Sequence, residues 1–377
     1  MRRAYKFRLY PNTDQERELG IALETHRRLW NACLDQRKTA WETEKRPVRY
    51  VGQSAWFKVE RTANPYFARL NFSSAQATMR RLDKAFVAFF RRCKSGGKPG
   101  YPRFKSCNRY DSIEFPTYGD GIRLNDNRLR VQHVGIVKAK IHREIEGRVK
   151  TATVKREGSK WFVILSCELP DADFVPNGKP AVGIDVGIEA FLTTSDGERV
   201  ENPRFLRREI PQLRRLQRSI SRKKRSSKNR RKAVYRIQAL HARVRNLRHN
   251  FHHKTALHLV RSSGLVAVER LNIRGMLRNH RLAQAISDVA WGGFVNILNN
   301  KAASAGCEVV AVNARGTSQE CNGCGATVQK TLSVRQHVCP SCKLSLHRDE
   351  NAARNVLARA LLARTGPAGI NVQRDVA

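Results

Sequence analysis

Residues 321–355 read CNGCGATVQKTLSVRQHVCPSCKLSLHRDENAARN. Two Cys-x-x-Cys pairs, Cys321/Cys324 and Cys339/Cys342, stand fourteen residues apart, and Asp349 follows at the mouth of an Ala-rich helical pattern. Thiolates at this spacing satisfy a tetrahedral zinc ion and leave no open position, so the metal expected here is one structural Zn²⁺. Gly323 and Gly325 suit the tight turn of a knuckle. An iron–sulfur cluster or two redox dithiols would draw on the same cysteines. Asp349 by itself reads as a helix N-cap, since Asp accepts hydrogen bonds from the free N–H groups of a first turn.

Two upstream stretches change that reading. Residues 181–187, AVGIDVG, form an apolar strand pattern that places Asp185 among buried neighbours, and residues 264–271, GLVAVERL, do the same for Glu269. A carboxylate in such a strand is costly unless it is paired, hydrogen-bonded or bound to metal. Alone, Asp185 reads equally well as a strand-end cap, and Glu269 as the partner of Arg270 or another surface base. Together, two strand-borne acids and one helix-borne acid have a common explanation: convergence on hard divalent cations. Two such ions activate a water and stabilise the leaving oxygen of a phosphodiester, chemistry that requires no His nucleophile. Asp185, Glu269 and Asp349 are therefore the candidate catalytic and Mg²⁺-binding set, with Mn²⁺ as a substitute ion.

Bulk composition points to the same substrate class. The 377 residues include 72 Lys and Arg against 32 Asp and Glu, a formal charge of +40. Such an excess suits a polyanionic partner, nucleic acid foremost. An anionic membrane surface would require an anchor that the sequence does not offer. The opening MRRAYKFRLYP lacks the apolar core of a signal peptide, and the apolar run 161–167 is too short to span a bilayer. The expectation is a soluble cytoplasmic protein with no membrane contact. Cys33, Cys93, Cys107, Cys167 and Cys307 are expected as reduced core thiols.

The charge is concentrated. Residues 206–254 hold eighteen Lys and Arg against the single acid Glu209. Ile237, Leu240, Val244, Leu247 and Phe251 step by three and four, so this region is expected as a helical hairpin, turning within 219–229, with a packed seam and a phosphate-binding face. Around it, strands are expected at 190–194 and 307–312, and one helix at 286–300 with Trp291, Phe294, Ile297 and Leu298 in the core.

The N-terminal half alternates between types. Residues 3–10 read as a half-buried strand, and Thr13 with Glu16 as a capping box opening a helix lined by Leu19, Leu23, His26, Trp30, Cys33 and Leu34. His26 reads as a packed or surface residue. A second helix follows Asn71, with the stripe Met79, Leu82, Phe86, Phe89, Phe90 and Cys93 as core. Residues 95–105, SGGKPGYPRFK, interleave cations with rings, a pattern that suits a nucleic-acid backbone and also a plain linker. Short strands follow at 113–115, 122–124, 129–131, 134–141, 151–156 and 161–168. They suggest a small barrel, split in sequence by the helices if the first strand joins it.

The ordered set YKFRLYPN, GKPGYPRFK, GIDVG, AVERL, AISDVAWGGF, TSQECNGCG and HRDENAARN resembles the TnpB family, RNA-guided nucleases of insertion sequences and relatives of type V CRISPR effectors. The resemblance covers nearly the whole chain. It implies a multidomain α+β protein: a split β-barrel with a helical recognition insert, then a RuvC-like nuclease domain of RNase H fold carrying an inserted zinc knuckle. The implied boundaries are 1–12 and 96–180 for the barrel, 13–95 for the helical lobe, 181–314 and 347–364 for the nuclease domain, including the basic hairpin 206–260, 315–346 for the knuckle and 365–377 for a tail. The resemblance carries Asp185, Glu269 and Asp349 over as the metal-binding catalytic acids, and Cys321, Cys324, Cys339 and Cys342 as the zinc ligands. It implies a guide RNA from the transposon end, double-stranded target DNA read beside a short motif, action as a monomer with RNA, and nucleoid association when bound. A guided repressor without cleavage and an accessory transposition protein remain the alternatives.

Overall fold

The computed structural model describes residues 2–107, 109–170, 174–331 and 334–365. Residues 366–377 of the expected tail, and 171–173 of the link between the halves, lie outside these. The chain divides into two compact units, Met1–Ala172 and Asp173–Ala377. Among the described residues, no helix is long and apolar enough to cross a membrane.

The first unit is built on β1 (Arg2–Tyr10), whose Tyr5, Phe7 and Leu9 are buried. Four helices follow: α1 (Thr13–Glu44), α2 (Tyr50–Ala63), α3 (Pro65–Ala68) and α4 (Phe72–Lys94). Then come β2 (Ser112–Phe115), β3 (Ile122–Asn125), β4 (Arg128–Val131), β5 (Gly135–Lys140), β6 (Arg148–Glu157) and β7 (Lys160–Glu168). The seven strands form one antiparallel sheet in the order β2-β6-β7-β1-β5-β4-β3. The N-terminal strand therefore lies at the centre. The two edge strands, β2 and β3, are consecutive in the chain, so the sheet curls into a nearly closed barrel. Tyr118 stitches the gap: its N–H donates to Lys150 O (2.9 Å) and its hydroxyl receives the Leu124 N–H (2.8 Å).

Helix α1 opens one residue earlier than the Thr13/Glu16 pattern suggests. Asn12 is the N-cap, and its side chain and that of Gln15 exchange hydrogen bonds with each other's backbone N–H. Asn caps at least as well as Thr. The α4 stripe also departs from expectation. Met79, Leu82 and Phe86 are buried, but Phe90 is 56% exposed and Cys93 lies at the surface, because the helix runs past the core in its last turns. Cys107 is likewise exposed, so only Cys33, Cys167 and Cys307 of the scattered thiols are buried.

In the second unit the strands are β8 (Ala181–Val186), β9 (Ala190–Thr194), β10 (Arg199–Glu201), β11 (Leu265–Arg270) and β12 (Glu308–Asn313). They form a five-stranded sheet in the order β10-β9-β8-β11-β12, with β8, β11 and β12 mutually parallel and β9 and β10 antiparallel to their neighbours. Between β10 and β11 run the long helices α5 (Phe205–Ser221) and α6 (Lys228–Ser262), and between β11 and β12 the helices α7 (Ile273–Met276), α8 (Ala283–Val289) and α9 (Trp291–Ala305). After β12 the cysteine-bearing insert contributes the short ribbon β13 (Gln336–Val338) and β14 (Ser345–His347), and α10 (Arg348–Thr365) ends the described chain.

Strand β11 shows how the sheet is covered. Val266 and Val268 pack with Leu259 and Val260 of α6 and Phe294 and Leu298 of α9. Leu265 and Ala267 pack on the other face with Val356 and Ala360 of α10. A parallel strand covered on both faces reads as a continuous apolar run, which is why VAV precedes Glu269. The single helix expected at 286–300 is broken at Ala290, which sits in the left-handed region (φ 55°). The break ends α8 at Val289, whose carbonyl accepts from the buried His252 Nε2 (3.0 Å).

His26 is buried in the first unit, with Nδ1 2.9 Å from Thr78 Oγ1 and Nε2 3.3 Å from Ser74 Oγ. Burial first, and Arg81 second, push its pKa down to about 3. The unfolded chain thus binds a proton that the folded one refuses, so stability falls as pH drops below the free value of about 6.5. Going from pH 7 to pH 5 is expected to remove about 2 kcal/mol through this group alone. Urea midpoints measured against pH should show that extra slope in the wild-type chain and not in His26→Gln.

Candidate active site

Strand β8 carries Asp185 and β11 carries Glu269. The two strands are paired in parallel with Ile184 opposite Val268, so the acids sit side by side one residue beyond the last registered pair. Side chains alternate along a strand. Asp185 therefore shares the face of Gly183, and Glu269 shares that of Ala267, the face covered by α10. Asp349 comes from α10, one helical turn before Ala353. Ala353 is the residue that meets Gly183: a Cβ on Gly183 would lie 2.1 Å from Ala353 O. The bare backbone at 183 lets the helix close on the strand, and one step along each element from that contact reaches the two Asp residues.

All three acids line one open cleft of about 1020 Å³. Each is half-buried. Burial, and then the facing Glu269 and Asp349 carboxylates, push the Asp185 carboxyl well above its usual range, with Arg348 acting in the opposite sense. Glu269 is also raised, by burial, and is partly held down by the Thr317 hydroxyl and Arg359. Asp349 is not the cap of its helix. His347 takes that position, its Nδ1 accepting the Asp349 N–H (3.2 Å), so the carboxylate is left for the cleft.

The remaining residues of the site were legible as motif letters but not as roles. Thr317 donates to Glu269 Oε1 (2.5 Å) from the loop after β12. Asn351 and Asn355, at i and i+4 on α10, are both buried and clamp the insert to the helix. Asn351 donates to Glu320 O (2.7 Å) and accepts from Asn322 N (3.0 Å), while Asn355 donates to Thr317 O and Glu320 O (2.8 Å each). Their four-residue spacing, placing two amides on one helix face, was the available signal. The four cysteines converge as well. Their Sγ atoms lie within 4.8 Å of one another, with the closest cross-pairs at 3.5 and 3.6 Å. That is too long for a disulfide bond and close enough to hold a metal ion.

Residues 164–280 match a family model (OrfB_IS605) described as "Probable transposase", 291–356 match the Cas12f1-like TNB domain, and 1–46 match a helix-turn-helix domain. A Streptomyces pristinaespiralis protein named "Putative RNA-guided DNA endonuclease" is 35% identical over 384 residues, covering 100% of this chain and 93% of the relative. The chain belongs to the TnpB family. The InsQ protein of Escherichia coli K12, which carries the same descriptive name, is 27% identical over 375 residues, covering 94% and 91% of the two chains. In fold, the chain is similar to the mini-RNA-guided endonuclease CRISPR-Cas_phi3, with a TM-score of 0.51 at 10% identity, covering 98% and 93%.

Two further acids line the cleft of this TnpB-family chain: Glu189, which pairs with Arg335 (2.7 Å), and Asp288. Asp288, at the end of α8, has a side chain only 8% exposed. It accepts the backbone N–H groups of Leu206 (3.0 Å to each oxygen) and Arg207 (3.3 Å), and pairs with Arg248 of α6 (2.9 Å). Helix α5 has no side-chain cap of its own, because Arg204 occupies the N-cap. Asp288 therefore supplies the missing cap from another helix and ties both arms of the basic hairpin to the cleft floor. Removing it strands a largely buried guanidinium and two helix N–H groups. Asp288→Ala is expected to cost about 3 kcal/mol locally. In hydrogen exchange, the Leu206 and Arg207 amides should lose protection while those of β8 and β11 keep it.

Proposed function

We propose that this chain is an RNA-guided DNA endonuclease of an insertion sequence, loaded with a guide RNA from the transposon end and cutting complementary double-stranded DNA beside a short motif. The observation that carries the reading is the convergence of Asp185, Glu269 and Asp349 on one cleft of a chain with formal charge +40. Burial first, and then the neighbouring Glu269 and Asp349 carboxylates, hold Asp185 above its usual range. An all-oxygen acidic set of this kind fits hard divalent cations, Mg²⁺ with Mn²⁺ as substitute. When bound, two such ions supply water activation and charge stabilisation at the leaving oxygen of a phosphodiester.

The chain's own residues do the positioning. Asp185 and Glu269 present oxygens from adjacent strand ends, and Thr317 fixes the orientation of Glu269 through its hydroxyl. Arg204, Arg207 and Arg281 line the same cleft and suit the phosphates of an incoming strand. The mixed sheet, two antiparallel strands leading into a parallel trio with α10 on one face, supports a RuvC-like RNase H-type assignment for the second unit. Sequence reading is then left to base pairing, and the basic surfaces serve the backbone of the heteroduplex. We assign the four cysteines a single structural Zn²⁺. With Zn–S of about 2.3 Å, tetrahedral thiolates stand about 3.8 Å apart, close to the observed Sγ spacing. The species is taken to act as a monomer with RNA.

The experiment is cleavage of matching DNA by the purified chain with its copurifying RNA. Mg²⁺-dependent cutting is expected in the wild type. Asp185→Ala should abolish cutting and leave RNA and DNA binding in place; unimpaired cutting would remove Asp185 from the mechanism, and binding without cutting in the wild type would make the chain a guided repressor.

Metal analysis should return one zinc per folded chain. Cys339→Ser is expected to lower that ratio and loosen residues 315–346 in limited proteolysis. A ratio near zero in folded material would refute the assignment.

A further inference from the structure

Residues 84–105, which join the last turns of α4 to the loop after it, carry seven Lys and Arg and no Asp or Glu. The same stretch holds a cluster of rings. Tyr101 stands edge-on to Phe86 (5.5 Å between centroids) and Phe89 (5.4 Å), and Phe90 lies against Phe89 (5.2 Å). The cluster is not closed over. Within it Phe90 is 56% exposed and Tyr101 45%, and Phe104, in the loop beyond, is 48% exposed. Exposed rings among cations, with no acid to balance them, do not arise from core packing or from salt-bridged solubility.

The loop 95–105 is also held in place, which its Gly and Pro content does not foretell. Trp30 Nε1 donates to Arg103 O (3.3 Å). Arg27 and Asn31 donate to Lys105 O (2.8 and 3.0 Å), and Asn31 Oδ1 accepts the Lys105 N–H (2.8 Å). Arg92 donates to Gly100 O (3.2 Å). With the backbone fixed by α1 and α4, the Tyr101, Arg103 and Phe104 side chains are displayed in a set arrangement, and little ordering cost is left for binding.

We propose that this face is a stacking platform for an unpaired stretch of RNA. Rings accept any base through its π-face, and the ammonium and guanidinium groups of the same stretch are available to the phosphates of a single strand. A duplex offers no free base faces, and an apolar protein partner would leave the cations unanswered. The choice of RNA rests on the RNA-guided reading above: the guide brings loops and ends whose bases are free to stack before any target is bound, whereas DNA arrives as a duplex and exposes a single strand only after unwinding.

The test is fluorescence anisotropy with the full chain and a short unstructured RNA, the same sequence as single-stranded DNA, and an RNA duplex, over a range of salt. The combined variant Phe90→Leu, Tyr101→Leu, Phe104→Leu keeps apolar bulk and removes the π-faces. It is expected to weaken unpaired RNA about tenfold per engaged ring, with duplex binding and the salt slope unchanged. Lys98→Gln with Arg103→Gln should instead flatten the salt slope, by about 0.7 for each phosphate that is no longer neutralised. Phe104→Leu alone serves if the triple variant misfolds by circular dichroism. Ultraviolet cross-linking of the copurifying RNA should place adducts within 98–105. The proposal is overturned by unchanged RNA affinity, by an equal weakening on the RNA duplex, or by ring-dependent binding that favours single-stranded DNA. Ring-dependent RNA binding without guided cutting would sink the nuclease reading and leave the platform; guided cutting with ring-independent binding would do the reverse.

Discussion

The close approach of α10 to β8 is the constraint on which the cleft depends. At Gly183 there is no room for even a Cβ, which would fall 2.1 Å from Ala353 O and 2.8 Å from Leu357 Cβ. That packing sets the distance between a helix and a strand whose acids come from residues 164 positions apart in sequence. Asp185 lies two residues on along the strand and Asp349 one turn back along the helix, so both are carried into the cleft by the same packing event. Glu269 then follows from the parallel register of β8 and β11. Small residues on α10 (Ala352, Ala353 and Ala360, all buried) serve this approach, and the two Asn residues on the same helix anchor the metal-type insert to it. The insert and the last acid are in this way coupled by helix geometry.

Electrostatics works in two directions in the second unit. In the middle of the cleft, burial raises both Asp185 and Glu269, and the facing carboxylates raise Asp185 further, which creates a demand for cations. Around them, the basic hairpin of α5 and α6 supplies a field that draws polyanions. Asp288 joins the two regimes. It is an acid in the cleft whose oxygens are committed to helix N–H groups and Arg248, so it serves the position of the hairpin. Residue type and cleft location alone would have classed it with the other three; hydrogen-bond saturation sets it apart.

The first unit places its N-terminal strand at the centre of a sheet whose other members arrive only after about a hundred residues of helix and loop. The inserted helices share one continuous core with that sheet, with Leu19, Leu29, Phe57, Met79 and Leu82 packed together with Phe7, Val137 and Val163. The buried His26 sits where α1 meets α4, kept neutral by its surroundings. Such a core holds the N-terminal lobe as one body and leaves the last turns of α4 and the pinned loop behind it as the part that faces outward.

The amino-acid pattern by itself determined a great deal. Period-two alternation located the barrel strands to within a few residues, because each has one face in the core. The runs AVGIDVG and GLVAVERL marked buried strands ending in acids, since a parallel strand covered on both faces has no polar side. Cysteine spacing marked the metal-type cluster, because four thiolates within reach of one ion need short local turns. Other features were decided only by the tertiary structure. The break at Ala290 is invisible to periodicity, since the apolar residues on both sides remain in helical phase. The cap of α5 comes from Asp288, eighty-two residues away, and no local pattern encodes a partner that distant. The outward turn of Phe90 arises because α4 outruns its core, which depends on where neighbouring elements stop. Sequence specifies which residues prefer to be buried or to carry charge; only the assembled packing specifies which distant partners complete them.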